Sequence, residues 1–384
     1  MLNNPFSPIF GGKPDFFFGR KDVLRRFGLA MRDRGSEDRA LFFTGTRGCG
    51  KTALLEQLST RASREGRVVV DLGPDDTVAQ LIQALVGHSE TTTTVSPQAS
   101  ISILGTGGSL SAGSVSTTTH YGRESLPALL VEACGRADKG TLVTLDEVQK
   151  VPLDDVSAIC NAFQMASRKG HDIMLAVAGL PYSHGKIIHH DGCTYLRRAS
   201  HEEIGLFTWE EAEDAFADAF ACVEGLSVRR EEADALNEAS YGHPYLMQLL
   251  GYHLVTHVDE RDRDGRHVVN RRDVDEVVPM AVRAYERRAL KPLVDELSDL
   301  ELKYLRAMSE CLDEERLAAT GVIAQTLGME SRSLSRARSR LIDNGTIAAP
   351  ARGQVMFCVP YLADYVRRPE STSSAIEVAR QRRV

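Results

Sequence analysis

ALFFTGTRGCGKTALLEQLSTRAS, residues 40–63, decides how the rest of the chain is read. Its first six residues are a short apolar run ending in glycine, the pattern of a strand buried in a parallel sheet. From Lys51 onward Leu54, Leu55, Leu58 and Ala62 recur at helical spacing. Between them GTRGCGKT (45–52) matches GxxxxGK[ST] in full, in the strand–loop–helix setting that gives the pattern its physical sense. Gly45, Gly48 and Gly50 let the backbone curl around phosphate oxygens without Cβ clashes. The N–H groups of the loop, including Thr46, Arg47 and Cys49, and the helix N-terminus supply positive potential. Lys51 is the cation for β- and γ-phosphates, and the Thr52 hydroxyl is a Mg²⁺ ligand. The expected ligand is ATP or ADP with Mg²⁺.

Working outward, RVVVDLG (67–73), TLVTLDE (141–147) and DIMLAVAG (172–179) read as further strands. Residues 76–88, 124–137 and 153–169 read as the helices between them. Such alternation predicts an α/β fold with a parallel sheet covered on both faces. Asp146 and Glu147 close TLVTLDE at the edge where parallel sheets bind ligands. There Asp146 would hold Mg²⁺ through water, and Glu147 would orient and polarise the attacking water. Residues 90–121, ETTTTVSPQASISILGTGGSLSAGSVSTTTHY, interrupt the pattern. Their Ser/Thr/Gly composition suits a disordered loop, and the alternation on either side of GTGG suits a β-hairpin able to serve as a partner-binding arm.

After residue 205 the chain turns helical, with 3.6-residue periodicity in 208–223, 229–240, 243–257 and 270–289 and a polar loop at 258–267. A third pattern begins near 296: helices at 298–312, 319–327 and 331–344, then two short strands around Pro350–Gly353. Three helices followed by a β-wing is the pattern of a winged helix. The tail, 369–384, is polar.

The chain's 384 residues carry a net charge of −7, so no overall field draws it to nucleic acid or anionic lipid. Residues 319–384, however, hold 10 Arg against 5 Asp/Glu. In SRSLSRARSRLIDNG (331–345) Leu334, Ala337 and Leu341 make an apolar face, and Arg332, Arg336, Arg338 and Arg340 stand largely on the others. With Arg352 at the wing tip, these are the residues for duplex DNA phosphates. No apolar run suits a membrane span, and seven scattered Cys without a CxxC pair suit free thiols in a reducing cytoplasm. His184, His189, His190, Asp191 and Cys193 crowd one loop without a structural-zinc spacing.

With these motifs assembled, the chain resembles the AAA+ and STAND-type ATPases, nearest to the bacterial and archaeal ATP-binding proteins related to origin-recognition initiators. The resemblance rests on FFFGRKDVLRRF (16–27), GTRGCGKT, LDEVQ (145–149) and the Gly-x-Pro of SYGHPYLMQLL (240–250). It implies that Gly19 and Arg20 lie near the adenine, that Pro244 belongs to the lid over the nucleotide, and that Arg197 or Arg198 reaches a neighbouring subunit as an arginine finger. A homo-oligomer follows from the last point. The chain departs from the family at Ala178-Gly179, where a polar sensor is usual, and in lacking the Gly-x-x-Arg of initiator lids. Both departures lean towards the STAND side and towards slow turnover.

The expected organisation is an ATPase core at 1–205, a helical lid at 206–290, a winged helix at 291–368 and a flexible tail at 369–384. The expected function is an ATP-dependent switch controlling assembly and engagement of DNA or a protein partner. The alternatives are a DNA-loading or transposition-helper ATPase, and a signalling or defence scaffold that does not bind DNA.

Overall fold

The computed structural model describes residues 2–9, 16–87, 121–262 and 267–368. The expected hairpin and the polar tail lie outside these residues. Helix α1 (Lys21–Ala30) precedes a core built of β1 (Ala40–Thr44), α2 (Lys51–Arg64), β2 (Val68–Leu72), α3 (Thr77–Gly87), α4 (Leu126–Arg136), β3 (Thr141–Leu145), α5 (Leu153–Arg168), β4 (Ile173–Gly179), α6 (Pro181–Ile188) and β5 (Ser200–Glu203). The five strands are parallel in the order β2-β3-β4-β1-β5. β1, β3 and β4 are buried along their whole length, which is why their sequences are continuous apolar runs. One face packs Leu54, Leu55 and Leu58 of α2 beneath Phe43, Leu142 and Met174; the other packs α3, α4 and α5 on Phe42, Val143 and Leu175. β4 stands between the strands of the phosphate loop and of the Asp-Glu pair, leaving a crevice at their C-terminal ends.

The helical unit comprises α7 (Trp209–Ala221), α8 (Arg230–Ser240), α9 (Pro244–Arg261) and α10 (Arg271–Tyr285), with β6 (Leu226–Ser227) and β7 (His267–Val268) pairing as short strands. Thr208 and Asn270 cap α7 and α10 with reciprocal capping boxes. α9 is buried all round from Leu246 to Gly251, as that apolar run requires, and extends four residues past the expected end. The chain's first residues belong to this unit. Phe6 is 2% exposed among Phe18, Phe216 and Phe220, and seats on Gly251 of α9 where any Cβ would collide with its ring.

A π-turn (Glu286–Leu290) and α11 (Lys291–Asp295) lead to α12 (Asp299–Glu310), β8 (Leu317–Ala319), α13 (Thr320–Thr326), α14 (Ser335–Asp343), β9 (Ile347–Ala348), β10 (Gln354–Phe357) and α15 (Leu362–Arg367). Three antiparallel strands in the order β8-β10-β9 flank α12, α13 and α14. β8 is one strand more than the sequence suggests, and α14 starts four residues late. The Ser333 hydroxyl donates to the Glu330 carbonyl at 2.6 Å and holds residues 331–334 in a turn. No helix among the described residues is long and apolar enough to cross a membrane.

Candidate functional site

The phosphate loop leaves β1 at Thr44 and enters α2 at Lys51. Gly48 and Gly50 take φ of 78° and 91°, which side chains with Cβ rarely adopt. Lys51 is 6% exposed, and its Nζ donates to the carbonyls of Gly45 (3.0 Å) and Thr46 (2.8 Å). The ammonium therefore fills the cradle with backbone oxygens as its partners. The Thr52 hydroxyl donates to Asp146 Oδ2 at 2.6 Å, joining the start of α2 to the end of β3. A hydroxyl and a carboxylate side by side are the donor set that Mg²⁺ takes in phosphate sites.

Glu147 sits in the left-handed region (φ 50°). Its Oε2 accepts from Gln149 Nε2 at 2.9 Å and pairs with Lys150 at 3.1 Å. Gln149 Oε1 in turn accepts from the Leu180 amide at 3.1 Å. Ala178-Gly179 at the tip of β4 is apolar, as expected, and Gln149 supplies the polar group there instead. Gly179 leaves no room for a side chain: a Cβ would meet Val148 at 2.8 Å and Gln149 Oε1 at 3.0 Å.

These residues open into a cavity of about 670 Å³, the size of a cofactor site. Arg47 through Ala53 line it, with Asp146, Glu147 and Lys150 on the sheet side. Arg20 and Pro244 also line it. The Arg20 guanidinium lies 4.4 Å from the centre of the Phe207 ring and donates to the Gly205 carbonyl. Gly19 adopts φ 57° behind it, closely packed on the same ring. Phe16, Phe17 and Phe18 add an aromatic wall, and Arg288 of the π-turn reaches the cavity beside them.

Three features were not foreseen. His243, the middle residue of the Gly-x-Pro element, is 2% exposed and packs on Gly48, where a Cβ would stand 2.6 Å from its Cε1. Its Nδ1 accepts from the Leu246 amide at 3.4 Å, capping α9, and its ring also bonds the Arg47 backbone. Burial lowers its pKa to about 4, so the ring is neutral at pH 7. Secondly, Arg47 pairs with Glu296, ahead of α12, at 2.9 Å. Thirdly, Asn344, Gly345 and Val359 of the C-terminal unit line the same cavity. Gly345 (φ 70°) abuts Thr46 so closely that a Cβ would lie 2.7 Å from its Cγ2.

The remaining residues singled out in the sequence lie as follows. Cys49 is 1% exposed, and burial raises its thiol pKa despite the cations around it. The loop therefore does not activate it. Arg197 and Arg198 lie outside the cavity: Arg198 faces a hollow with Arg34, Ala40, Gly170 and Ile173 at the opposite edge of the sheet, and Arg197 Nε donates to the Ile188 carbonyl. Arg332, Arg336 and Arg352 are exposed, Arg338 is half-buried near Tyr304, and Arg340 pairs with the buried Glu301 at 3.2 Å. His184 stacks on His201 with ring centres 3.8 Å apart, and no metal-ligating cluster occurs among the described residues.

Residues 17–175 match the family described as the AAA ATPase domain, and residues 288–366 match a domain of unknown function, DUF8462. No curated protein matches the chain. Among solved structures it is similar to the Aeropyrum pernix ORC2 protein in ADPNP–ADP complexes, with a TM-score of 0.67 over 99% of both chains at 14% identity. The ADP form of ORC2 gives 0.53 at 15% identity over 97% of this chain and 99% of that one. Cdc6p from Pyrobaculum aerophilum gives 0.50 at 14% identity over 98% and 99%. At these identities the common property is the fold.

Proposed function

The chain carries an AAA ATPase domain, a P-loop core of the AAA+ class, on the fold of the archaeal origin-recognition proteins; from that premise we propose a nucleotide-driven switch whose C-terminal unit answers to occupancy of the phosphate loop. The observation that carries this reading is the shared lining. Asn344, Gly345 and Val359 face the same cavity as Lys51, Thr52 and Asp146. A ligand that fills the cavity therefore bears on both, and it shifts the unit's position by its differential contacts with the two arrangements.

ATP is the triphosphate this reading favours, supported by the glycine cradle and by the ADPNP and ADP complexes of the similar ORC2 protein. Lys51 exchanges its two carbonyl partners for phosphate oxygens. Thr52 and Asp146 would hold Mg²⁺, which would supply positive charge to neutralise the phosphates. Glu147 orients the attacking water after leaving Gln149 and Lys150, and that release, together with the apolar tip of β4, makes turnover slow. This restraint is the feature that suits STAND-like behaviour. Arg197 or Arg198, outside its own cavity, serves a neighbouring copy, so the active form is an oligomer.

We read α12 to β10 as a winged helix that engages duplex DNA through Arg332, Arg336, Arg340 and Arg352. A protein partner is the second reading, favoured by Val322, Met329 and Met356, which are 46%, 38% and 37% exposed on the same unit. The deciding experiment is ATP turnover across protein concentrations, with and without duplex DNA. Turnover that rises with concentration and with DNA supports the DNA-engaging oligomer. Tight ATP binding with little turnover and no response to DNA leaves the protein-binding switch, and absence of nucleotide binding overturns both.

A further inference from the structure

Away from the nucleotide cavity, α5 packs against a 3₁₀ segment, Asp191–Arg198, that carries Arg197 and Arg198 at its end. Two cysteines meet at this seam. Cys160 of α5 and Cys193 of the segment are 2% and 0% exposed in one buried cluster, close enough for each thiol to shift the other's ionisation. Cys193 Sγ also lies 3.8 Å from Nδ1 of His190, the residue that caps the segment. Cys193 sits at the kink within the segment, with φ −106° and ψ 24°, the sparsely populated bridge region. Ser157, one turn before Cys160, presses on Gly192, so the two backbones run close together here.

Each thiol shifts the other's ionisation: Cys160 and His190 lower Cys193, while Cys193 and burial raise Cys160. Cys193, the thiol beside the His190 imidazole, is the one placed to become a thiolate, with Cys160 next to it.

We propose that Cys160, Cys193 and His190 form a dithiol site that peroxides oxidise to an intramolecular disulfide, tethering α5 to the arginine-bearing segment. In the first step the Cys193 proton passes to His190, and the thiolate attacks one peroxide oxygen. The O–O bond breaks, a sulfenic acid forms on Cys193, and the departing hydroxide takes the proton from His190 as water. In the second step the Cys160 sulfur attacks the Cys193 sulfur. The S–S bond forms, the S–O bond breaks, and the hydroxyl leaves with the Cys160 proton as a second water. Two thiols and one peroxide become one disulfide and two waters. Burial makes the site respond to small oxidants that enter as the kink opens, and excludes large disulfides. The tether's effect on Arg197 and Arg198 rests on their proposed role; the chemistry does not.

The test uses the full chain with Cys222, the exposed thiol, replaced by Ser to suppress intermolecular bonds. Folded protein is treated with hydrogen peroxide, then unfolded in excess N-ethylmaleimide, and its mass and peptides are read. Alkylated thiols should fall from six to four, with one linked pair containing Cys160 and Cys193. Either Cys160→Ser or Cys193→Ser should abolish the link. His190→Asn, which keeps a capping acceptor but no base, should slow closure about fivefold or more. Six alkylated thiols after treatment, or a link that persists in either single variant, overturns the site. Because the readout is mass, it stands apart from nucleotide turnover. If the link forms while oxidised and reduced protein hydrolyse and assemble alike, the site holds and the arginine role fails.

Discussion

The Thr52 hydroxyl donates to Oδ2 of Asp146 across 2.6 Å, although the strands that deliver the two residues are separated by β4. The bond spans the crevice where the sheet order reverses direction, and it ties the phosphate loop to the Asp-Glu pair before any ligand arrives. Thr52→Ala and Asp146→Asn should each weaken Mg²⁺-dependent ATP binding about tenfold to a hundredfold, the range expected when a charge-assisted hydrogen bond is removed. In EDTA the variants and the parent should bind alike; equal weakening in EDTA would place the effect in folding instead. Titration with a fluorescent ATP analogue measures both.

Glu147→Gln should lower turnover at least about a hundredfold while leaving ATP affinity near the parent's, because water activation contributes in that range. Gln149→Ala tests the restraint: freed of its Gln149 partner, Glu147 should turn over faster. A slower Gln149→Ala enzyme would show that Gln149 positions the carboxylate for catalysis.

Much of this was legible in the sequence. The glycine loop, its strand and helix, and the paired carboxylates are consecutive residues whose chemistry and periodicity coincide, and the structure puts them in one cavity. What escaped reading depends on tertiary neighbours. Gly345 ends α14 like any helix-terminating glycine; nothing local says that Thr46 lies against it. Gly242-His243-Pro244 drew attention to its first and last members, yet the central imidazole touches the loop. α9 outran its expected end because Arg261 is held by Asp273 and by the Val268 carbonyl at 2.8 Å, a tertiary effect outweighing a polar local sequence.

The seam at Gly345 gives a direct test of closure. Gly345→Val forces a Cβ towards Thr46 at a backbone angle that β-branched residues resist, costing about 1–3 kcal/mol. The expected outcome is faster release of bound ADP in stopped-flow chase experiments. Glu296→Ala, which removes the Arg47 partner without strain, should speed release in the same direction. Unchanged release in both variants would detach the C-terminal unit from the nucleotide.

His243 makes stability depend on pH in one window. Its pKa is about 4 in the folded protein against about 6.5 unfolded. The unfolded chain therefore binds the extra proton between those values. This contribution is fully present above pH 6.5 and declines as pH falls towards 4, by up to about 1.4 kcal/mol per unit. Melting temperature should fall along that slope in the parent, and the slope should flatten in His243→Asn.

For the arginine face, Arg332, Arg336 and Arg340 changed together to Ala should lower duplex affinity and reduce the slope of log K against log salt by up to about 3, near one for each phosphate no longer neutralised. Binding isotherms between about 50 and 200 mM salt would read it; an unchanged slope leaves those residues to solvent or to a protein partner.

The seat of Phe6 on Gly251 sets an order of events during synthesis. The ring is made before its socket, which is completed only when α9 has left the ribosome, after the whole α/β core. Until then residues 2–9 carry an uncovered aromatic anchor, a long-range pairing of the kind that slows folding and invites association between nascent chains.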